Sequence, residues 1–232
     1  MLTKIFFISL LFTLILGCNS TKGNKSQQKQ AISGVYGIDV SHHQGDINWK
    51  HVKHWNNHKV EFVYIKATEG ATYLDKKYKR NFIEAKREGL KVGSYHYFRT
   101  TSTPHEQFIN FIKHVDHQQQ DLIPMIDLEE NKSWSTDKYN KNLKVFLALV
   151  EEKYNRKPIL YSTQRFYNTY LKNRYLSYYW NIGRYSSKQP YLLDENKWSM
   201  WQFSDTETVE GISKQVDVNM LSERMKVADL EL

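Results

Sequence analysis

Cysteine occurs once in the 232 residues, at Cys18, so no internal disulfide can form and stability has to come from burial. Long apolar runs are also scarce. The one such stretch, Ile5 to Leu16, is interrupted by Ser9 and Thr13, and at about a dozen residues it falls short of the roughly 20 a membrane-spanning helix requires. No internal repeat is visible, which argues against a solenoid. The chain is basic, yet it has no extended basic run, no zinc-ligand spacing and no RNA-binding signature, so nucleic acid is not an expected partner. His42, His43 and His96 have no cysteine or carboxylate at ligand spacing, and neither a metal nor any other cofactor is expected.

At the N-terminus, Met1 and Lys4 precede the short apolar run, the layout of a secretory leader over residues 1–17. The run ends in Ile15-Leu16-Gly17-Cys18, which resembles a bacterial lipobox, in which cleavage before the cysteine frees its thiol for a lipid. Lipidation would give the lone cysteine a purpose. Residues 18–33, rich in Gln, Lys, Ser, Asn and Gly, then read as a solvated tether of ~20 Å typical reach. Residues 34–232 are enough for one barrel-sized domain with a sizeable core. Loss of the leader removes one lysine and lowers the formal charge from +8 to +7, while aromatics make up 14%. Basic and aromatic character together suit a sugar-rich or polyanionic partner.

The body alternates short apolar strands with amphipathic helices, the pattern of parallel strands joined by crossover helices. Strands are predicted at Tyr36–Val40, Phe62–Ala67, Val92–Phe98, Ile123–Leu128, Ile159–Ser162, Tyr179–Gly183, Ser199–Phe203 and Gln215–Val218. One helix should run from Asp137 to Tyr154, with Tyr139, Leu143, Phe146, Leu147, Val150 and Tyr154 on one stripe. A second begins at Thr103-Pro104 with Glu106 completing a capping box, and a third runs from about Lys76 to Gly89. Shorter helices are predicted near Trp49–Trp55, where His51 and His54 would share a solvated face, and at Gln164–Leu171. The fold class is therefore α/β, an irregular barrel whose chemistry sits at the C-terminal ends of its strands.

Carboxylates fall at those ends. In Ile123-Pro124-Met125-Ile126-Asp127-Leu128-Glu129, alternation puts Met125, Asp127 and Glu129 on one face at ~6.6 Å spacing. Two acids so close cannot both ionise freely, and Glu129 is expected to hold the proton while Asp127 is ionised or shares it. A glycosidase needs such a division between a protonated acid and an ionised neighbour. The same residues are equally compatible with a polar strand end or a helix start.

Tyr36-Gly37-Ile38-Asp39-Val40-Ser41-His42-His43-Gln44-Gly45-Asp46-Ile47-Asn48-Trp49 resembles the opening strand of glycoside hydrolase family 25, the muramidases or lysozymes of bacterial and phage type. The resemblance continues through Phe62–Gly70, Gly93–Phe98, Asp127-Leu128-Glu129, Leu160-Tyr161-Ser162, Trp201-Gln202-Phe203 and Val216-Asp217-Val218-Asn219, nearly the whole body. It implies a flattened barrel of eight strands and about five helices. By the same resemblance Glu129 is the general acid and base, Asp127 the acid beside it, and Asp39 and Asp217 the remaining pocket carboxylates. The implied reaction retains configuration, through either the substrate's acetamido oxygen or an enzyme carboxylate. Tyr64, Tyr97, Tyr161, Trp180 and Trp201 lie at or near strand ends and, with Gln202, are candidates to contact sugar, although each ring is individually as suited to the core. Lys66 and Glu69 are expected to pair. Asn181 and Gly183 depart from the family's more compact, alanine-bearing stretch, and Met220-Leu221 stands where an aromatic is commoner.

The expectation is a monomeric hydrolase of peptidoglycan glycan strands in the cell envelope, held to a membrane by lipid on Cys18. A non-catalytic peptidoglycan-binding barrel and a hydrolase of another N-acetylated polysaccharide remain the alternatives. Cys18→Ala should abolish metabolic labelling by a fatty acid and shift the protein out of the detergent phase, and an unlabelled wild type would refute lipidation.

Overall fold

The computed structural model describes residues 34–132 and 134–232. The expected leader, Cys18 and the linker lie outside the described residues.

Eight strands close into a barrel: β1 (Tyr36–Val40), β2 (His58–Glu69), β3 (Lys91–Tyr97), β4 (Met125–Asp127), β5 (Ile159–Thr163), β6 (Trp180–Gly183), β7 (Met200–Glu207) and β8 (Val216–Leu221). Strands β1 to β6 each pair parallel with their successors, as the βα alternation implies. β8 departs from that expectation. It runs antiparallel to both β7 and β1, because the stretch from Glu207 to Val216 is too short for a crossover helix and can only turn back. Both faces of most strands are buried. Phe62, Tyr64, Met125, Ile159, Tyr161, Met200 and Leu221 pack in the barrel interior, while Ile38, Val63, Ile65, Ile126, Leu160, Ile182 and Val218 pack outward under the helices.

The helices are α1 (Tyr78–Arg87), α2 (Pro104–His114), α3 (Thr136–Tyr154), α4 (Gln164–Phe166) and α5 (Val227–Leu230). α2 carries the Thr103–Glu106 capping box with Pro104 in its first turn. α3 buries the six apolar residues of its stripe and ends at Asn155, whose left-handed φ of 50° suits asparagine. α4 passes into a π-helical turn over Tyr167–Leu171. Trp49–Trp55 is not a helix: a 3₁₀ turn at Trp49–His51 gives way to a two-residue strand, His54–Trp55, paired with the start of β2. Asn56, at a left-handed φ of 51°, makes the tight reversal possible, and His51 and His54, though not on a helix, are both exposed and border the same surface hollow.

Two interior glycines let large rings fill the barrel. A Cβ on Gly93 would lie 2.4 Å from the Tyr64 ring, and one on Gly37 would lie 2.3 Å from Phe62. Gly93→Ala should therefore overpack the interior and cost roughly 1–3 kcal/mol, read as a lower Tm or denaturant midpoint. An unchanged midpoint would show that Tyr64 is free to move aside.

Candidate active site

Pairing on both sides holds the end of β4. Phe98 N–H donates to the Asp127 carbonyl at 3.0 Å, Leu128 N–H to the Tyr161 carbonyl at 2.9 Å, and the Ser162 hydroxyl to the Leu128 carbonyl at 2.8 Å. With Leu128 buried outward, alternation turns Asp127 and Glu129 into the barrel mouth. On the other side, β1 and β8 place Asp39 opposite Asp217 in register. All four carboxyls line one cleft of about 140 Å³, together with Tyr95, Met125, Tyr161, Tyr185 and Gln202.

Asp39 is wired into the barrel by amides. Its Oδ2 accepts from Gln202 Nε2 at 2.8 Å and from Asn219 Nδ2 at 2.7 Å. Gln202 Oε1 in turn accepts from the hydroxyls of Tyr161, 2.8 Å, and Tyr185, 2.9 Å, and Asn219 Oδ1 accepts from Asn181 Nδ2 at 2.8 Å. Burial raises the pKa of Asp39, and the two N–H donors on one oxygen oppose that rise. Asp217 is pushed up to about 9, by burial first and then by the Asp39 charge, and it hydrogen-bonds to Asp39. At neutral pH this pair holds one proton, on Asp217, whose O–H donates to Asp39.

Both carboxyls of the Asp127–Glu129 pair have raised pKa values. Asp127 is the deeper member, and burial, followed by the Glu129 charge, holds its pKa well above the usual carboxylate range. Glu129 lies exposed at the mouth. Crowding by protein atoms raises its pKa too, but a hydrogen bond from the Tyr97 hydroxyl and the charges of Lys66 and Arg99 oppose that rise. The two titrate as a unit, so the proton belongs to the pair.

Of the aromatic candidates, Tyr161 lines the cleft and Tyr97 touches Glu129 from its rim. Tyr64, Trp180 and Trp201 do not line it. Tyr64 faces inward but one layer too low, level with Gly93, and its hydroxyl donates to the Ile123 carbonyl at 3.1 Å. Trp180 and Trp201 are one residue out of phase with the inward Asn181 and Gln202, so they point to the helix layer, their indole N–H groups bound to the carbonyls of Tyr175 and Arg184. Two cleft residues were missed by sequence reasoning. Tyr95 shares the inward face of β3 with Tyr97 and was legible by alternation, whereas Tyr185 follows β6 in a loop and carried no periodic signal. The departures on β6 have a local reason: Asn181 extends the amide chain to Asp39, and a Cβ on Gly183 would lie 2.6 Å from the Tyr161 hydroxyl. Lys66 and Glu69 pair at 2.7 Å.

A family model described as glycosyl hydrolases family 25 matches residues 38–212. The chain is 35% identical over 190 residues to the uncharacterized protein YegX of Escherichia coli K12, covering 81% of this chain and 70% of that one. It is 31% identical over 205 residues to Lysozyme M1 of Streptomyces globisporus, covering 81% and 67%. Among solved structures, a family 25 glycosyl hydrolase from Bacillus anthracis superposes with a TM-score of 0.76 at 31% identity, covering 85% of this chain and 94% of that one.

The proton on Asp217 has a thermodynamic consequence. The unfolded chain releases it near the usual carboxylate pKa of ~4, the folded one only near 9. The folded state therefore loses stability relative to the unfolded as pH rises through that window. Asp217→Asn keeps a donor to Asp39 without the ionisation, so its Tm advantage over wild type should grow from pH 5 to pH 8. A difference that is flat with pH would mean that Asp217 does not carry the proton.

Proposed function

The chain belongs to glycosyl hydrolases family 25 and is a lysozyme-type glycoside hydrolase, and on that premise we propose that it cuts the β-1,4 bond between N-acetylmuramic acid and N-acetylglucosamine in peptidoglycan. The observation that carries this reading is the convergence of Asp39, Asp127, Glu129 and Asp217 on one cleft, with only Glu129 reaching its exposed mouth.

In this reading Glu129 protonates the leaving glycosidic oxygen and later takes a proton from water, the two halves of retention. The proton comes from the coupled Asp127–Glu129 pair, which gives it up at the member that reaches the substrate. Asp127 has a buried Oδ1 without a hydrogen-bond partner among the described residues, placed to accept the N–H of a 2-acetamido group as that group attacks the anomeric carbon. Asp39, anchored by Gln202 and Asn219, supplies negative potential near the developing oxocarbenium charge, and protonated Asp217 donates its O–H to Asp39. Tyr95, Tyr161 and Tyr185, whose pKa values burial raises, stay neutral; Tyr95 donates a hydrogen bond to a sugar oxygen, the hydroxyl oxygens of Tyr161 and Tyr185, whose protons go to Gln202, accept from sugar hydroxyls, and Tyr97 holds Glu129 from the rim.

The same proposal has the enzyme working outside the cytoplasm as a single chain, held to a membrane by lipid on Cys18 through the polar linker of residues 18–33.

Glu129→Gln preserves shape and removes the proton donor, so release of reducing ends from purified peptidoglycan should fall by ~10²–10⁴-fold while binding survives. Retention of more than about a tenth of the rate would exclude Glu129 as the acid. Mass spectrometry of the fragments should show new muramic acid reducing ends. New glucosamine ends, or faster cleavage of chitin oligomers, would replace the proposed bond with another.

A further inference from the structure

We propose that Arg99 is a positioning residue for Glu129, acting through Tyr97 and Glu130 rather than on the substrate. The proposal rests on the reading of Glu129 as the acid. Arg99 lies just past β3, and its backbone is pinned by the buried Gln107 of α2: Arg99 N–H donates to Gln107 Oε1 at 2.8 Å, and Gln107 Nε2 donates to the Arg99 carbonyl at 2.9 Å. The guanidinium then ties three strand ends together. Nε and Nη2 donate to Glu69 Oε1, at the end of β2, at 2.8 and 2.5 Å, and Nη1 donates to Glu130 Oε2 in the segment after β4. Its Cζ lies 4.3 Å from the centroid of the Tyr97 ring.

Each contact bears on Glu129. Glu130 is its chain neighbour, on an irregular segment past the end of β4, so the tie to Arg99 limits where the Glu129 backbone can go. Tyr97 carries Arg99 on its ring and has Lys66 Nζ 5.0 Å from the same centroid. Lys66 Nζ also donates to Glu69 Oε2 at 2.7 Å, so both cations share one carboxylate. A phenol ring with cations beside it is a stronger hydrogen-bond donor, and the acceptor of this one is Glu129. The ion pairs are half-buried, so water screens them less than it would at an open surface.

The charged and titratable groups facing Glu129 are Asp39 from β1, Lys66 from β2, Tyr97 and Arg99 from β3 and beyond it, Asp127 from β4, Tyr161 from β5 and Asp217 from β8. Removing Arg99 subtracts a cation from this set and leaves Glu69 with Lys66 alone and Glu130 with Lys132. Every one of these changes makes the surroundings more negative. Glu129 should then hold its proton to higher pH.

The test compares Arg99→Gln and Arg99→Lys in the otherwise intact protein. Arg99→Gln should lower kcat by roughly 10–100-fold with KM little changed, as expected for a misplaced acid. The alkaline limb of the pH–rate profile should move up by ~0.5 unit or more. Arg99→Lys keeps the charge but cannot bridge both carboxylates, so the limb should return towards wild type while kcat stays low. A ¹³C carboxyl titration of Glu129, assigned by the signal missing in Glu129→Gln, reads the same shift without activity. If Arg99→Gln lowered Tm and rate but left the limb and the titration where they were, Arg99 would be merely structural and the proposal would fall. If the titration moved while Glu129→Gln stayed active, the clamp would stand and the acid assignment would fall.

Discussion

Four carboxyl groups in a cleft of about 140 Å³ cannot all be ionised, because each buried charge lacks water and faces the others across a low-dielectric gap. Much of the barrel mouth can be read as the means of settling which of them keep protons. At β1 and β8, Gln202 and Asn219 aim two amide N–H groups at one oxygen of Asp39, which leaves the shared proton on Asp217. At β4 the two acids differ in depth: Asp127 is enclosed, and Glu129 reaches out to Tyr97 and within range of two cations. Similar side chains thus acquire different roles from their surroundings alone.

That arrangement needs a rigid frame, and the barrel interior supplies it in layers. The lower layer is apolar and aromatic, with Phe62 and Tyr64 fitting into space that Gly37 and Gly93 leave open. The upper layer is polar and hydrogen-bonded, running from Asn181 through Asn219 to Asp39 and on through Gln202 to Tyr161 and Tyr185. Gly183 makes room for the Tyr161 hydroxyl in the same way. The unusual residues on β6 are therefore not vacant subsites but members of this upper layer. A polar layer of this kind holds its geometry only when its members satisfy one another, which ties Asp39 to residues on four other strands.

The family's fold was legible in the chain because its signals are local. Short apolar runs located the barrel strands, the stripe from Tyr139 to Tyr154 located α3, and Thr103 with Glu106 marked the start of α2, each depending only on neighbours in sequence. The shared face of Asp127 and Glu129 followed from alternation along Ile123 to Glu129. Where local pattern was ambiguous, the reading went astray. Trp49–Trp55 has helical spacing of apolar residues, yet Asn56 turns the chain back and β2 offers His54 and Trp55 a strand partner.

The sequence by itself determined the alternation of strands and helices, the strand ends on which the four acids stand, and the motifs that mark the family. Only the tertiary structure decided phase, depth and partnership. Phase around the barrel sent Trp180 and Trp201 to the helix layer and brought Tyr185 to the cleft; depth put Tyr64 below the mouth and made Asp127 the more enclosed acid. Partnership across 163 and 180 residues of sequence joined Gln202 and Asn219 to Asp39. A residue's periodicity reports which face of its own strand it occupies, whereas its pKa and its contacts depend on what strands far away in sequence set against that face once the barrel has closed.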